Sequence, residues 1–205
     1  MKSFLFILFV FNGFYSIGQL SVKEVKKRAI PSFVTYEGNF NAAKTWKDGL
    51  GSHFVILSGT DDIEKSDSDY NYRQRFLYAR HYLVKKDSAQ LLWKLLDVIP
   101  DCPVDIILDF IMKGFRITDL DKDKIPEVWV TYTLGCRGDV SPDDLKIIMY
   151  EGSRKHVLRG SQTMTWKGKV QVKGRHKLDN AFLKAPKVIH YYALALWNKY
   201  STVAY

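Results

Sequence analysis

The stretch that best indicates the fold is residues 127–134, which read EVWVTYTL. Two sets of side chains alternate along it, with Val128, Val130 and Tyr132 on one side and Trp129, Thr131 and Thr133 on the other. Successive side chains of a strand point to opposite faces of the sheet, and β-branched and aromatic residues favour strands. Residues 127–134 therefore predict a β-strand.

Upstream of this strand, two segments predict a β-hairpin. Residues 75–84 (RFLYARHYLV) are rich in aromatic and β-branched side chains, and residues 85–88 (KKDS) are typical of a turn. Residues 90–99 are predicted to form the second arm of the hairpin, which runs back along the first. The returning arm also fits a short helix, because periodicity does not decide between the two in so few residues. The polar, acidic residues 60–72 are predicted to form a long hairpin loop.

Downstream of the strand, residues 146–150 and 156–159 flank the turn-like EGSR and predict a second hairpin. Shorter strand candidates are residues 54–57, 106–110 and 115–118. The C-terminal part changes to a helical period after Pro186, a residue well tolerated at a helix start. The apolar residues at this spacing are Ile189, Tyr192, Ala193, Leu196 and Tyr200. The predicted fold class is therefore α+β: mainly antiparallel β-sheet, in hairpins or a meander, with a C-terminal amphipathic helix.

The N-terminus is typical of a secretory signal peptide. Lys2 precedes an apolar run at residues 4–10, and the small residues Ser16 and Gly18 precede a predicted cleavage site before Gln19. An uncleaved anchor is the alternative, but the apolar run is shorter than the roughly 20 residues that a spanning helix needs. We therefore predict a signal peptide at residues 1–18 and one globular domain at residues 19–205, exported to the periplasm or the cell surface, with no later transmembrane segment.

Export changes how the two cysteines are interpreted. Cys102 and Cys136 are the only cysteines of the chain, and an isolated pair in an oxidising compartment predicts one disulfide. Two buried free thiols are the alternative. Closing a loop of this length stabilises a fold by roughly 3–4 kcal/mol in the chain-entropy model.

The charge of the chain is unevenly distributed. The formal net charge is +9, yet residues 146–187 hold 11 Lys and Arg against two acids, while residues 99–145 hold ten acids against five bases. A basic surface on an envelope protein predicts an anionic glycan or lipid as partner, and no nucleic acid. The residues predicted to contact it are Lys167, Lys169, Lys173, Arg175 and Lys177. A solvated basic face without a partner is the alternative.

One loop has the spacing of a cation site. Carboxylates occupy positions 1, 3, 5 and 9 of DLDKDKIPE, residues 119–127, and the carbonyl at position 7 adds an oxygen, which suits calcium. The predicted ligands are Asp119, Asp121, Asp123, Ile125 and Glu127. Short calcium loops of integrin-type propellers, which this spacing resembles, usually carry Gly at position 6, where this chain has Lys124. An acidic β-turn without an ion stays open as the alternative, and no other cofactor is predicted.

The sequence shows no nucleophile elbow, P-loop or zinc-protease motif. Carboxylate pairs for glycoside chemistry can be drawn from two groups, Asp105 with Asp109 or Asp139 with Asp143 and Asp144. Residue spacing does not give their separation, so whether the protein is an enzyme stays open, and we favour a non-catalytic role.

Three segments resemble a known family: ITDLDKDKIPEVWVTY, CRGDVSPDDLKIIMYEGSRKHVLRG and NAFLKAPKVIHYYALALW. They are similar to a family of exported Bacteroidota proteins described as surface polysaccharide biosynthesis proteins, and the resemblance covers roughly residues 75–197. It implies a process, the making of envelope glycans, and implies no catalytic residue or substrate. Members carry Gly in the acidic loop, so Lys124 is a departure.

The predicted function is a non-catalytic, exported envelope protein that supports surface polysaccharide or lipopolysaccharide biosynthesis. Two alternatives remain: an enzyme that acts on glycans through a carboxylate pair, and a calcium-stabilised interaction module.

Overall fold

The computed structural model describes residues 20–66 and 71–205, so the predicted signal peptide at residues 1–18 lies outside the described residues. The strands are β1 Lys23–Glu24, β2 Asn39–Lys47, β3 Ser52–Gly59, β4 Ile63–Ser66, β5 Asn71–Lys85, β6 Ser88–Cys102, β7 Asp105–Phe110, β8 Arg116–Thr118, β9 Glu127–Arg137, β10 Asp144–Glu151, β11 Arg154–Ser161, β12 Thr163–Trp166, β13 Lys169–Val172, β14 Arg175–Leu178 and β15 Thr202–Ala204. The helices are α1 Asn180–Lys184 and α2 Lys187–Tyr200, with 3-10 turns at Lys27–Ala29 and Met112–Gly114. The predicted α+β class, mainly antiparallel β with a C-terminal helix, is confirmed.

The described strands form three sheets. The first sheet has the order β1-β2-β3-β5-β4, with β6 also paired to β5. The second sheet has the order β14-β11-β10-β9-β7, with β8 also paired to β9. The small third sheet has the order β13-β12-β15, and its β12–β15 pair is the parallel one.

The two predicted hairpins are confirmed. β5 and β6 pair from one end to the other through a two-residue turn, since Lys85 lies opposite Ser88. The returning arm is therefore a strand and not a helix, because β5 offers it a hydrogen-bonding partner along its length. β10 and β11 form the second hairpin, with Glu151 opposite Arg154.

The prediction of a loop over residues 60–72 is wrong in part. Residues 63–66 form β4, which pairs with the first residues of β5 in antiparallel register. The acidic residue Asp62 contributes to this arrangement, because its carboxylate bridges Arg75 at 2.6 Å and Arg73 at 3.2 Å. Asp62 thus makes ion pairs with two arginines of β5.

The first and second sheets enclose the main core. The two alternating sets of β9 side chains pack on opposite faces of the second sheet. Val130 and Tyr132 pack against first-sheet residues such as Leu57 and Leu77. Trp129 packs on the other face, against the helices. Burial of a large apolar side chain contributes roughly 1.5–3 kcal/mol. A central strand of this composition is therefore stable only with a layer on each side.

The C-terminal helices form the outer layer on the second sheet. Ile189, Ala193 and Trp197 of α2 are buried against Ile147 and Met149 of β10. The predicted helical spacing after Pro186 is confirmed, and Pro186 is the residue that precedes its first turn.

The N-terminal segment covers the other face of the first sheet. Val34 packs with Ala43, Ile56 and Tyr82, and the Tyr82 hydroxyl donates a hydrogen bond to the Thr35 carbonyl at 2.5 Å. The order of layers is therefore N-terminal segment, first sheet, second sheet and helices.

Cys102 and Cys136 form the predicted disulfide, with Cα atoms 5.7 Å apart. Cys102 ends β6 in the first sheet and Cys136 lies in β9 of the second, so the bond links the two sheets. No helix among the described residues is both long and apolar enough to cross a membrane.

Candidate functional site

The residues of the predicted anionic-ligand patch lie on two different elements. Lys167, Lys169 and Lys173 are on or beside the β12–β13 hairpin. Arg175 and Lys177 are on β14, at the edge of the second sheet. All five side chains are exposed.

Lys177 belongs to a row of basic residues that crosses three strands. Arg159 on β11 lies opposite Lys177, and Lys146 on β10 lies opposite Arg159. Directly opposite residues of antiparallel strands share a face and interact. We call the surface cavity along this row, about 450 Å³ in volume, the basic groove. The residues that line it are Leu134, Asp144, Lys146, Arg159, Gly160 and Lys177.

A partly buried ion pair lies at the inner end of the basic groove. Lys146 Nζ lies 2.5 Å from Asp97 Oδ2, and the Tyr132 hydroxyl donates to the same oxygen at 2.7 Å. Burial by itself would raise the pKa of Asp97, but the hydrogen bonds from Lys146 and Tyr132 outweigh it and hold that pKa below its ordinary value. The contact with Asp97 therefore fixes the position of the Lys146 side chain.

The outer two cations of the row have no such partner. Within residues 20–66 and 71–205, no carboxylate lies within ion-pair distance of Arg159 or Lys177. Like charges directly opposite each other on neighbouring strands are destabilising. An anion between these side chains would remove that repulsion and gain charge-assisted hydrogen bonds.

The structure brings the predicted cation ligands together at the β8–β9 connection, the acidic loop of residues 119–127. Carboxylate oxygens of Asp119, Asp121 and Glu127 lie within 4.8 Å of one another. A second group of the same compactness joins Asp121 and Asp123 to Glu151, at the end of β10. These acidic groups can hold a metal ion.

The backbone of the acidic loop is tightly wound. Lys122 and Lys124 have φ angles of 62° and 72°, in the left-handed region. Lys124 thus adopts the conformation for which Gly is the usual choice at this position. Ile125, whose carbonyl is the predicted ligand at position 7, donates its amide to Asp123 Oδ1 at 2.7 Å, and its side chain is exposed.

Hydrogen bonds to the Glu127 carboxylate hold the start of the acidic loop in place. Its carboxylate accepts hydrogen bonds from the Thr118 hydroxyl at 2.6 Å and the Leu120 amide at 2.9 Å. Thr118 in turn accepts from the Trp129 indole at 2.8 Å. Burial raises the pKa of Glu127, and the nearby charge of Asp121 adds to the rise.

Two carboxylate oxygens of these acidic groups accept no hydrogen bond within the part of the chain that the structure describes. Asp119 Oδ1 and Glu151 Oε1 are shielded from solvent, and neither has a hydrogen-bond partner among the described residues. Burial raises the pKa of Glu151, and the charges of Asp121, Asp123 and Glu127 raise it further. A cation bound at either group would reduce the repulsion among its acids.

Three of the five carboxylates considered for glycoside chemistry contact arginines. Asp143 accepts two hydrogen bonds from Arg137, at 2.6 and 3.0 Å. Asp105 and Asp109 lie 3.5 Å from Arg73 and Arg75 respectively.

Of these acids, Asp109 helps to line a polar cavity of about 240 Å³ that also contains Asp62 and Arg75. Asp139 accepts a hydrogen bond from the Ser141 amide at 3.0 Å. Asp144 lines the basic groove instead.

Sequence reasoning missed three residues of these sites: Lys146, Arg159 and Glu151. The hairpin predicted over residues 146–159 was enough to pair Lys146 with Arg159, because a turn at 151–154 places these two residues opposite each other. Glu151 carried a weaker signal, since it becomes a neighbour of Glu127 only through the β9–β10 pairing.

Comparison with known proteins gives no relative: no family model, curated protein or solved structure matches the chain. The resemblance to exported Bacteroidota polysaccharide proteins therefore stays a prediction.

Proposed function

We propose that this protein is a non-catalytic, exported envelope protein that binds an anionic glycan or lipid headgroup in the basic groove, and so supports surface polysaccharide or lipopolysaccharide biosynthesis. The observation that carries the proposal is the row of Lys146, Arg159 and Lys177 across three neighbouring strands. The disulfide between Cys102 and Cys136 supports an oxidising compartment, in keeping with export.

The chemistry of the row favours phosphate or carboxylate groups. Arg159 offers a planar fork of donors that matches either group, and the lysines add point charges on both sides. Asp144 at the margin can accept hydrogen bonds from sugar hydroxyls. A saccharide with regularly spaced anionic groups fits this combination better than a neutral glycan does.

Binding of purified lipopolysaccharide to the wild type and to an Arg159→Gln/Lys177→Gln variant tests the proposal. We expect the variant to lose about tenfold or more in affinity, because hydrogen bonds to charged groups contribute roughly 1.5–3 kcal/mol each. Added salt should weaken wild-type binding and affect the variant less.

A matched control is Lys26→Gln/Lys27→Gln, which removes the same charge from the exposed N-terminal segment. This control should bind as the wild type does. Equal binding by the groove variant and the wild type would contradict the proposal, as would equal loss in both double variants, because net charge alone would then explain binding.

A second candidate function is a calcium-stabilised interaction module. It is favoured by the two buried carboxylate oxygens without donors, Asp119 Oδ1 and Glu151 Oε1. The two acidic groups share Asp121 and together hold five acids, and calcium accepts six to eight oxygen ligands. The ion would stabilise the acidic loop and would take no part in a reaction.

A further inference from the structure

The β12–β13 hairpin lies apart from the two large sheets. β12 pairs on one side with β15 and on the other with β13, which leaves β13 at the edge of the third sheet. The hairpin is anchored at its base, where the Thr163 amide donates to the Ser201 carbonyl at 2.7 Å and Met164 is buried. Its distal half is exposed.

Three apolar side chains of this hairpin face solvent. Trp166, Val170 and Val172 are 53%, 59% and 42% exposed. The other four tryptophans of the chain, at positions 46, 93, 129 and 197, are all buried. They lie within one stretch of seven residues, and because Trp166 pairs with Lys169 while Val170 pairs with Thr165, they occupy both faces of the distal half of the hairpin. Exposed apolar side chains concentrated in this way on a polar protein mark an interaction site.

Lysines surround the apolar side chains. Lys167 lies in the turn, Lys169 follows it as the first residue of β13, and Lys173 follows β13. Lys167 Nζ lies 5.9 Å from the centroid of the Trp166 ring. No carboxylate among the described residues lies within ion-pair distance of these three lysines.

The turn holds a lysine where the backbone disfavours one. Lys167 and Gly168 have φ angles of 45° and 76°, and Trp166 pairs with Lys169, so the pair forms a two-residue turn with both residues left-handed. Asn or Gly at the first of these positions is the usual choice. The chain thus carries a positive charge at the tip in spite of local backbone strain.

We propose that the β12–β13 hairpin docks on an anionic phospholipid bilayer. Trp166, Val170 and Val172 enter the headgroup boundary, and the three lysines contact lipid phosphates. Tryptophan favours this boundary because one part of its ring system is apolar and its N–H is polar. Lysine stems lie along apolar surface while their ammonium groups stay at the charged layer. The proposal does not depend on a ligand in the basic groove.

An anionic bilayer fits the hairpin better than a protein partner does. Its three lysines match a surface of uniform negative charge, and each basic residue near such a surface adds to the attraction. The small apolar tip needs no complementary pocket in a bilayer, since lipid chains and headgroups adapt to its shape.

Trp166 makes the proposal directly measurable, because it is the exposed tryptophan of the chain. Wild-type protein is mixed with vesicles of phosphatidylcholine and phosphatidylglycerol in equal parts, or of phosphatidylcholine alone. Binding is measured by sedimentation, and insertion by quenching of tryptophan fluorescence with brominated lipid. We expect binding and quenching with the anionic vesicles, and weak binding to neutral ones.

Two variants separate insertion from charge. Trp166→Ala should lower the affinity for anionic vesicles about tenfold, because it removes the largest apolar contact. Lys167→Asn keeps a residue suited to the left-handed turn, so the fold is retained while the preference for anionic lipid falls. Circular dichroism and thermal melting confirm that both variants are folded.

Two controls complete the experiment. Tyr191→Ala removes an exposed aromatic ring from α2 and should leave vesicle binding unchanged. Arg159→Gln/Lys177→Gln should still show quenching of Trp166, which separates this proposal from the groove. Binding without quenching, equal binding to neutral vesicles, or normal binding by Trp166→Ala would each overturn the proposal.

Discussion

The histidine pair His53 and His81 shows most clearly how single residues respond to their surroundings. Nδ1 of His53 lies 2.9 Å from Nε2 of His81, and Nε2 of His53 lies 2.9 Å from an oxygen of Asp48. Trp46 stacks on His53 and Trp93 lies edge-on to His81. Burial, with a contribution from the neighbouring His53, lowers the pKa of His81 to about 3.

This shift predicts a loss of stability in mild acid. Unfolded, His81 takes up a proton as the pH falls below its ordinary pKa of 6.5, while folded it stays neutral until about pH 3. The free energy of unfolding should therefore fall by about 2 kcal/mol from pH 7 to pH 5 on account of this residue. Buried His156 contributes with the same sign, since burial lowers its pKa too.

Urea denaturation at these two pH values measures the effect. His81→Gln should be less stable than the wild type at neutral pH, but its stability should decline less between pH 7 and pH 5. An unchanged decline in this variant would show that other groups cause the pH dependence.

At the scale of elements, the acidic loop illustrates how strand pairing assembles a site. The β8–β9 and β9–β10 pairs place Glu127 beside both Thr118 and Glu151. Burial raises the pKa of Glu127 and of Glu151, and repulsion from neighbouring acids, Asp121 in both cases, raises each pKa further. This repulsion is the physical reason to expect that a cation stabilises the loop.

Thermal melting with calcium, and with a chelator in its place, tests the calcium proposal. We expect calcium at a hundredfold excess over its Kd to stabilise the wild type by about 2.7 kcal/mol. Asp121→Asn should raise the melting temperature in chelator, because it removes repulsion, and should abolish most of the response to calcium. A melting temperature unmoved by calcium would contradict the proposal.

The control for this experiment is Asp101→Asn, an exposed acid on β6 away from the acidic loop. It should respond to calcium as the wild type does. Magnesium should stabilise less, because it demands a smaller and more regular oxygen shell than a loop of this size provides.

At the scale of the whole molecule, the disulfide and the layered core act together. The Cys102–Cys136 bond joins the first and second sheets at the edge of the main core, near Ile106. Replacement of both cysteines with serine should lower the free energy of unfolding by about 3–4 kcal/mol, in line with a sequence separation of 34 residues.

Urea denaturation of the double variant, compared with the reduced wild type, checks this value. The two should unfold at similar urea concentrations, since both lack the cross-link. A double variant as stable as the oxidised wild type would show that the sheets are held by packing alone.

Much of the fold could be predicted from local patterns. The alternation at residues 127–134, the hairpin at 75–99 and the spacing after Pro186 each report which faces of an element are apolar, and each is confirmed. The segment 60–72 could not be predicted in the same way. Its strand forms because β5 supplies hydrogen-bond partners and because Arg73 and Arg75 bind Asp62.

The candidate sites also combine features that the local sequence predicts with features that only strand pairing and packing create. The sequence by itself determined the alternating strand, the cysteine pair, the acidic loop and the excess of basic residues beyond position 145, because each is a property of neighbouring residues or of composition. Only the tertiary structure decided that Lys146 and Arg159 join Lys177, that Glu151 joins the acidic loop, and that Trp166 stays exposed. Strand register and packing bring together residues distant in the chain, and no local pattern contains that information.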